Sequence, residues 1–133
     1  MTVSRVDPAA VRAALLDVWP WVSAPEGTPR PPRAKVAAAV RLTVAQLGQD
    51  ATGHSVEVRV PPFAAVQCVA GSVHRRGTPP NVVECDALTW LGLAGGLLDV
   101  DAAIAAGAEV SGAHATDIAH WLPVVAVQDG SGR

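Results

Sequence analysis

Apolar residues recur at helical spacing in the first third of the chain. One set lies at intervals of three or four residues: Val11, Leu15, Val18 and Val22. Asp7-Pro8, just ahead of this set, is typical of a helix start, because Asp can cap a helix and Pro needs no N–H at that position. After the Pro-rich segment 23–33, a second set repeats the spacing up to Gly48: Val36, Val40, Val44 and Leu47. The pattern predicts two amphipathic helices joined by a loop.

The middle of the chain changes to the two-residue period of β-strands. Residues 55–60 (SVEVRV) place valine at every second position, and Pro61-Pro62 end the run. Two further strands are predicted over 63–69 (FAAVQCV) and 81–85 (NVVEC), separated by a loop at 70–80 that is rich in Gly, Arg and Pro. Because the connections are short, this pattern favours an antiparallel meander.

The last third alternates short helices with short extended segments. Asp86 can cap a helix over 87–94 that is apolar on nearly every side, so we expect this helix to be buried. A strand, a helix, a strand and a final helix are then predicted, in this order, at Leu97-Leu98, 100–106, 108–111 and around 118–122. The residues after Val127 have no apolar anchor. We therefore expect one domain over 1–127 and a frayed tail over 128–133.

Composition and charge exclude several classes of protein. Of the 133 residues, 50% are hydrophobic and 17% are charged, which is typical of a folded domain and not of a disordered chain. The net charge is −2 and the basic residues are scattered with few aromatic residues among them, so nucleic-acid binding is not expected. The sequence has no run of about 18 apolar residues and no recognisable export segment. We therefore expect a cytoplasmic protein that does not span a membrane.

Residues capable of catalysis do not form a recognisable constellation. Cys68 and Cys85 lie in predicted buried strands, where free cysteine behaves as a small apolar residue. His114 and His120 are the closest pair of histidines, and a spacing of six does not place them on one helical face. We expect no enzymatic activity, no bound metal and no cofactor.

One polar cluster lies in and around the 70–80 loop. Its members are Arg59, Arg75, Arg76, Thr78 and Asn81. Arginine side chains there can bind a carboxylate or phosphate head group bidentately, or dock another protein. The alternative is a solvated loop stiffened by Pro79-Pro80, and the sequence leaves both interpretations open.

Several segments together resemble a known family. The run from Asp86 to Leu122, with DALTWLGLAGG, DAAIAAG and HWLP, is similar to the C-terminal half of sterol carrier proteins. The motifs VEVRVPPFAAVQC and RRGTPPNVVE resemble more narrowly the bacterial sterol-carrier orthologue group, and also the C-terminal domain of mycothiol-dependent maleylpyruvate isomerases. The resemblance covers residues 5–124.

The resemblance implies an α/β (α+β) fold with a mixed, mainly antiparallel sheet of about five strands, covered by helices. It also implies an apolar cavity between the sheet and the later helices, in which a non-catalytic carrier holds a lipid, a fatty-acyl chain or a sterol-like molecule. The residues expected to line this cavity are Phe63, Val66, Trp90, Leu93, Leu97, Ile104, Ile118, Trp121 and Leu122. The same side chains can instead be plain core.

The resemblance to the isomerase domain supports an alternative function. In this alternative the chain is a stand-alone accessory domain that docks a protein partner through the Arg-rich 70–80 loop. The metal-bearing helical domain of those isomerases has no counterpart in this sequence, so no isomerase active site is carried over.

Overall fold

The first two helices form where the apolar spacing predicts them. The structure, a computed structural model, describes residues 5–71 and 79–127. Helix α1 spans Pro8–Ser23, and the Asp7 side chain caps it by accepting a hydrogen bond from the Ala9 N–H at 3.0 Å. Helix α2 spans Arg33–Asp50, two residues beyond the predicted end at Gly48. Every apolar residue of the two predicted sets is buried, and the two helices pack against each other.

Among the residues that the structure describes, the sheet has four strands, not about five. They are β1 (Val56–Val60), β2 (Ala64–Cys68), β3 (Asn81–Glu84) and β4 (Glu109–Ser111), in the spatial order β2-β1-β3-β4. Strand β1 pairs antiparallel with β2, and β3 pairs antiparallel with β4, which confirms a mixed, mainly antiparallel sheet. The predicted strand at Leu97-Leu98 is wrong: these residues form a turn.

The predicted meander is also wrong, because β3 does not pair with β2. It lies on the other edge of β1 and runs parallel to it, with Val58 opposite Val83. The connection from β2 to β3 spans residues 69–80, and a dozen residues are enough for the crossover that a parallel pair requires. The parallel register keeps Val83 on the same buried face as the β1 valines.

One of the later elements is a buried apolar helix. Helix α3 spans Ala87–Gly95, and all of its residues except Leu88 are buried, as predicted. Gly96 ends it in the left-handed conformation with φ +88°, which glycine adopts without steric cost. Helix α4 (Val100–Ala105) and a 3₁₀ helix (Ala115–Trp121) follow. Helix α3 packs against α1, α2 and α4, so it lies at the centre of the helical layer.

A buried hydrogen bond joins α3 to α2. The indole Nε1–H of Trp90 donates to the Thr43 hydroxyl oxygen at 2.8 Å, and this hydroxyl donates in turn to the Ala39 carbonyl oxygen at 2.7 Å. Trp90 and Thr43 are both fully buried. The bond gives the indole N–H of Trp90, the largest fully buried side chain, a hydrogen-bond partner. Without one, burial of this polar group would be costly.

The other face of the sheet is open to solvent and carries mostly polar side chains. Arg59 lies there, with its guanidinium 2.8 Å from the Glu57 carboxylate and 3.7 Å from the Glu84 carboxylate. None of the helices in the described part of the chain is long and apolar enough to cross a membrane. The cytoplasmic location stays a prediction.

The bond between α2 and α3 gives a stability test. Thr43→Val keeps the shape of the side chain but leaves the Trp90 N–H buried without an acceptor, so we expect the free energy of unfolding to fall by about 1–3 kcal/mol. Urea denaturation measures this change. In a Trp90→Phe background the same substitution should cost about 1 kcal/mol less, because no indole donor remains to be left unpaired. Equal costs in the two backgrounds would show that the bond contributes nothing.

Candidate functional site

An apolar cleft lies beside the C-terminal end of α3, and we call it the α3–α4 cleft. Its volume is about 200 Å³. The residues that line it come from α3, the following turn, α4 and the end of the 3₁₀ helix: Leu93, Gly96, Leu98, Asp99, Val100, Ala119, Leu122 and Pro123. Most of these side chains are apolar, and all of them come from the last third of the chain.

Backbone hydrogen bonds hold the walls of the cleft against α3. The N–H groups of Leu97 and Leu98 both donate to the Gly92 carbonyl oxygen, at 2.8 and 3.1 Å. The N–H groups of Val124 and Val125 donate to the Ala94 carbonyl oxygen, at 2.9 and 3.1 Å. The turn after α3 and the segment after Pro123 are thus both tied to the last carbonyls of α3.

One charged residue lies in the cleft wall. The Asp99 carboxylate accepts a hydrogen bond from the Ala102 N–H at 2.8 Å and so caps α4. Its position makes the cleft unfavourable for an anionic group. Uncharged or cationic groups avoid this repulsion.

The structure brings only part of the predicted cavity set to this cleft. Leu93 and Leu122 line it. Trp90 and Ile118 are buried in the core, with 0% and 1% of their surface exposed, and Trp121 is partly buried. Leu97 and Ile104 are 41% and 38% exposed and do not line the cleft.

Phe63 and Val66 lie elsewhere. Phe63 lines a different pocket, beside Pro61-Pro62, and Val66 on β2 lies against Gly48 of α2. The ligand-binding roles of the whole predicted set stay predictions.

Sequence reasoning missed six of the eight lining residues: Gly96, Leu98, Asp99, Val100, Ala119 and Pro123. The sequence pattern predicts a strand at Leu98, whereas the turn at Gly96 places the Leu98 side chain against Gly92. The Gly95-Gly96 pair is the signal that can identify such a turn, because glycine is favoured at the left-handed position after a helix. Where the turn points is decided by packing.

The described members of the polar cluster do not lie together. Arg59 pairs across the sheet with Glu84, whereas Asn81 pairs with Val56 at the other end of the same strands. The carboxylate of Glu57 accepts a hydrogen bond from Arg59 and raises the pKa of its guanidinium above the ordinary value. Arg75, Arg76 and Thr78 lie outside the described residues. The head-group and docking roles of this cluster stay predictions.

Asn81 is buried and its amide is used by the fold. The amide NH₂ donates to the Ser55 carbonyl oxygen at 2.9 Å and lies 3.2 Å from the Ser55 hydroxyl. Its amide oxygen accepts from the His114 N–H at 2.9 Å. Asn81 thus connects the start of β1 to the segment before the 3₁₀ helix.

The two cysteines are free and buried: Cys68 ends β2, and Cys85 directly follows β3 on the other side of β1. Burial raises the pKa of Cys68 to about 11. Burial, followed by the negative charges of Asp86 and Glu84, raises the pKa of Cys85 to about 12. Because the thiolate is the reactive form, neither thiol is a nucleophile near neutral pH.

Candidate metal ligands are dispersed. Within 5–71 and 79–127, no group of three or more His, Cys, Asp or Glu side chains is arranged to hold a metal ion. His114 pairs with Asp117 at 3.2 Å, and His54 with Gln67 at 2.9 Å. Both histidines are exposed.

Asn81→Asp tests whether the amide is structural. At pH 7 the carboxylate cannot donate to Ser55 and is buried without a cationic partner, so we expect the variant to lose about 1–3 kcal/mol of stability. Burial raises the pKa of such a carboxyl, and its protonated form can again donate, so the deficit relative to wild type should shrink near pH 4. Chemical denaturation at both pH values measures it. A variant as stable as wild type at pH 7 would mean that the amide is free to serve a ligand.

The cysteines give a second test. Under native conditions at pH 8, iodoacetamide should modify neither thiol within the time in which it modifies both in urea. Mass spectrometry counts the added groups. Rapid native alkylation of either cysteine would contradict the burial described here.

The raised pKa values of the two folded thiols also predict how stability depends on pH. The stability that the buried thiols contribute should be fully present below about pH 8.5, the ordinary thiol pKa, and should be lost as the pH rises from there toward 11 to 12.

Comparison with known proteins places the chain in a family. No curated protein matches the chain. A family model described as bacterial SCP ortholog matches residues 32–124, which is 93 of the 133 residues. The match begins at the N-cap of α2 and ends just after Pro123, so it contains the sheet and the whole α3–α4 cleft. The chain therefore belongs to the bacterial SCP ortholog family, the bacterial orthologues of sterol carrier proteins.

Proposed function

We propose that this chain is a non-catalytic carrier domain that holds the apolar part of a lipid-like ligand in the α3–α4 cleft. The observation that carries the proposal is the wall of leucine, valine and proline side chains around an open space, within the part of the chain that matches the family. Leu93 and Leu122 are the two lining residues that the sequence already indicated. A family of sterol carriers makes an apolar ligand the natural occupant.

The size of the cleft limits what it holds. Its volume of about 200 Å³ is smaller than the roughly 300–1,000 Å³ of typical small-molecule pockets. A short apolar segment fits, whereas a long chain has to extend over the surface. Leu97, adjacent in sequence to Leu98 and 41% exposed, offers apolar surface for such an extension.

The charge of the wall limits the head group. Among the described residues that line the cleft, Asp99 is the only ionisable one. A carboxylate head group close to it would be repelled, because like charges disfavour each other at short range. We therefore expect neutral amphiphiles to bind better than fatty acids of equal length.

A series of n-alkanols from butanol to dodecanol tests this function. Burial of each methylene contributes about 0.8 kcal/mol, so affinity should rise roughly fourfold per carbon and then level off when the cleft is full. Titration calorimetry measures the affinities. The fatty acid of equal length should bind more weakly at pH 7.

Two matched substitutions locate the binding. Ala119 is exposed and lies in the cleft wall, so Ala119→Trp should fill the cleft and abolish alkanol binding without disturbing the core. Ala105→Trp adds the same ring to an exposed position of α4 outside the lining, and it should bind as wild type does. Saturable binding that survives Ala119→Trp would place the ligand elsewhere, and no binding at any chain length would refute the carrier role.

A further inference from the structure

A second pocket lies at the N-terminal end of α3, whereas the α3–α4 cleft lies at its C-terminal end. Its volume is about 350 Å³, within the range of typical small-molecule sites. The residues that line it come from the end of α1, the loop before α2, the turn after β1 and the start of α3: Trp21, Arg30, Pro61, Pro62, Phe63, Asp86, Ala87 and Leu88. Two aromatic rings and two prolines thus surround a space with an arginine in its wall.

Three guanidinium groups gather around the aromatic residues of this pocket. The guanidinium carbon of Arg30 lies 5.3 Å from the Trp21 ring centroid, and that of Arg33 lies 5.0 Å from the Phe63 ring centroid. The Nε–H of Arg41 donates to the Phe63 carbonyl oxygen at 3.2 Å. Cation–π contacts of this length hold an arginine near a ring while leaving its N–H groups free to donate.

None of these three arginines pairs with a carboxylate. The ion pairs among the described residues use other cations, namely Lys35, Arg59 and His114. Helix α2 also begins here, at Arg33, with no side-chain cap and no acidic residue in its first turn, so its free N–H groups add positive potential.

One carboxylate opposes them. Asp86 lines the pocket, and its oxygen accepts a hydrogen bond from the Thr89 N–H at 2.8 Å as the cap of α3. Its charge is partly satisfied by the start of α3. Arg30 is the arginine that lines the pocket together with Asp86, and Arg33 and Arg41 add positive charge on the Phe63 side.

We propose that this pocket binds a small ligand that carries a carboxylate or phosphate group on an apolar body. The planar guanidinium groups of Arg30 and Arg33 bind the oxyanion, since paired N–H donors match its geometry. The apolar body contacts Trp21, Phe63 and Leu88. The site is distinct from the α3–α4 cleft, whose one ionisable residue is Asp99.

Titration calorimetry of the full chain with four probes tests this proposal. Benzyl phosphate and phenylacetate should each bind saturably. Inorganic phosphate should bind at least tenfold more weakly than benzyl phosphate, because it lacks the apolar body, and benzyl alcohol should bind at least tenfold more weakly, because it lacks the oxyanion. Inorganic phosphate binding as tightly as benzyl phosphate would overturn the role of the apolar walls, and benzyl alcohol binding as tightly would overturn the role of the arginines.

Substitutions identify the groups responsible. Arg30→Gln and Arg33→Gln should each weaken benzyl phosphate binding at least tenfold, because each removes a charged donor. Arg5→Gln removes the same charge from an exposed residue at the other end of α1 from Trp21, and it should change the affinity less than twofold. Equal losses in all three variants would show only a general effect of net charge. No saturable binding of either anionic aromatic probe would reject the site, while the alkanol result for the α3–α4 cleft would be unaffected.

Discussion

The structure depends on the burial of α3, a helix that is apolar on nearly all sides. A helix of this kind cannot lie on a surface, so other elements have to cover each of its faces. Helices α1 and α2 cover one side, and α4 with the turn before it covers another. The bond from Trp90 to Thr43 allows the largest side chain of α3 to be buried without leaving its N–H unpaired.

Glycines allow the close approach of the elements that cover α3. A Cβ atom at Gly95 would overlap the ring of Trp19 from α1, and one at Gly92 would press against the Leu98 side chain. These two contacts explain why α3 carries glycine at Gly92 and at its last residue, Gly95, although glycine disfavours helices in isolation. The packing that they permit offsets the loss of helix propensity.

The two pockets lie at the two ends of α3 and differ in charge. The α3–α4 cleft, at its C-terminal end, has apolar walls and one aspartate, whereas the pocket at its N-terminal end has Arg30 and Asp86 in its lining and two further arginines in contact with Phe63. This contrast parallels the distribution of charge along the chain, in which nine of the ten basic residues precede β3 and seven of the twelve acidic residues lie in or after it. One small domain can thus offer separate sites to neutral and to anionic apolar ligands, and in this interpretation α3 is the wall that both sites share.

The sequence by itself determined most of the helices and strands and their buried faces, because these depend on contacts between residues close in the chain. Valine spacing predicted α1, α2 and β1, and Asp7, Asp86 and Asp99 cap the helices expected to follow them. Tertiary structure alone decided the position of β3, since both edges of β1 offer the same hydrogen bonds and the connection over 69–80 can reach either. Tertiary structure also decided which residues meet in each pocket. Phe63, predicted to line the same cavity as Leu93, lies beneath the Arg33 guanidinium. Asn81, predicted to belong to the polar cluster around the 70–80 loop, is buried against Ser55. A local pattern shows that a side chain is apolar or polar, but its neighbours are set by how distant segments fill the space around α3.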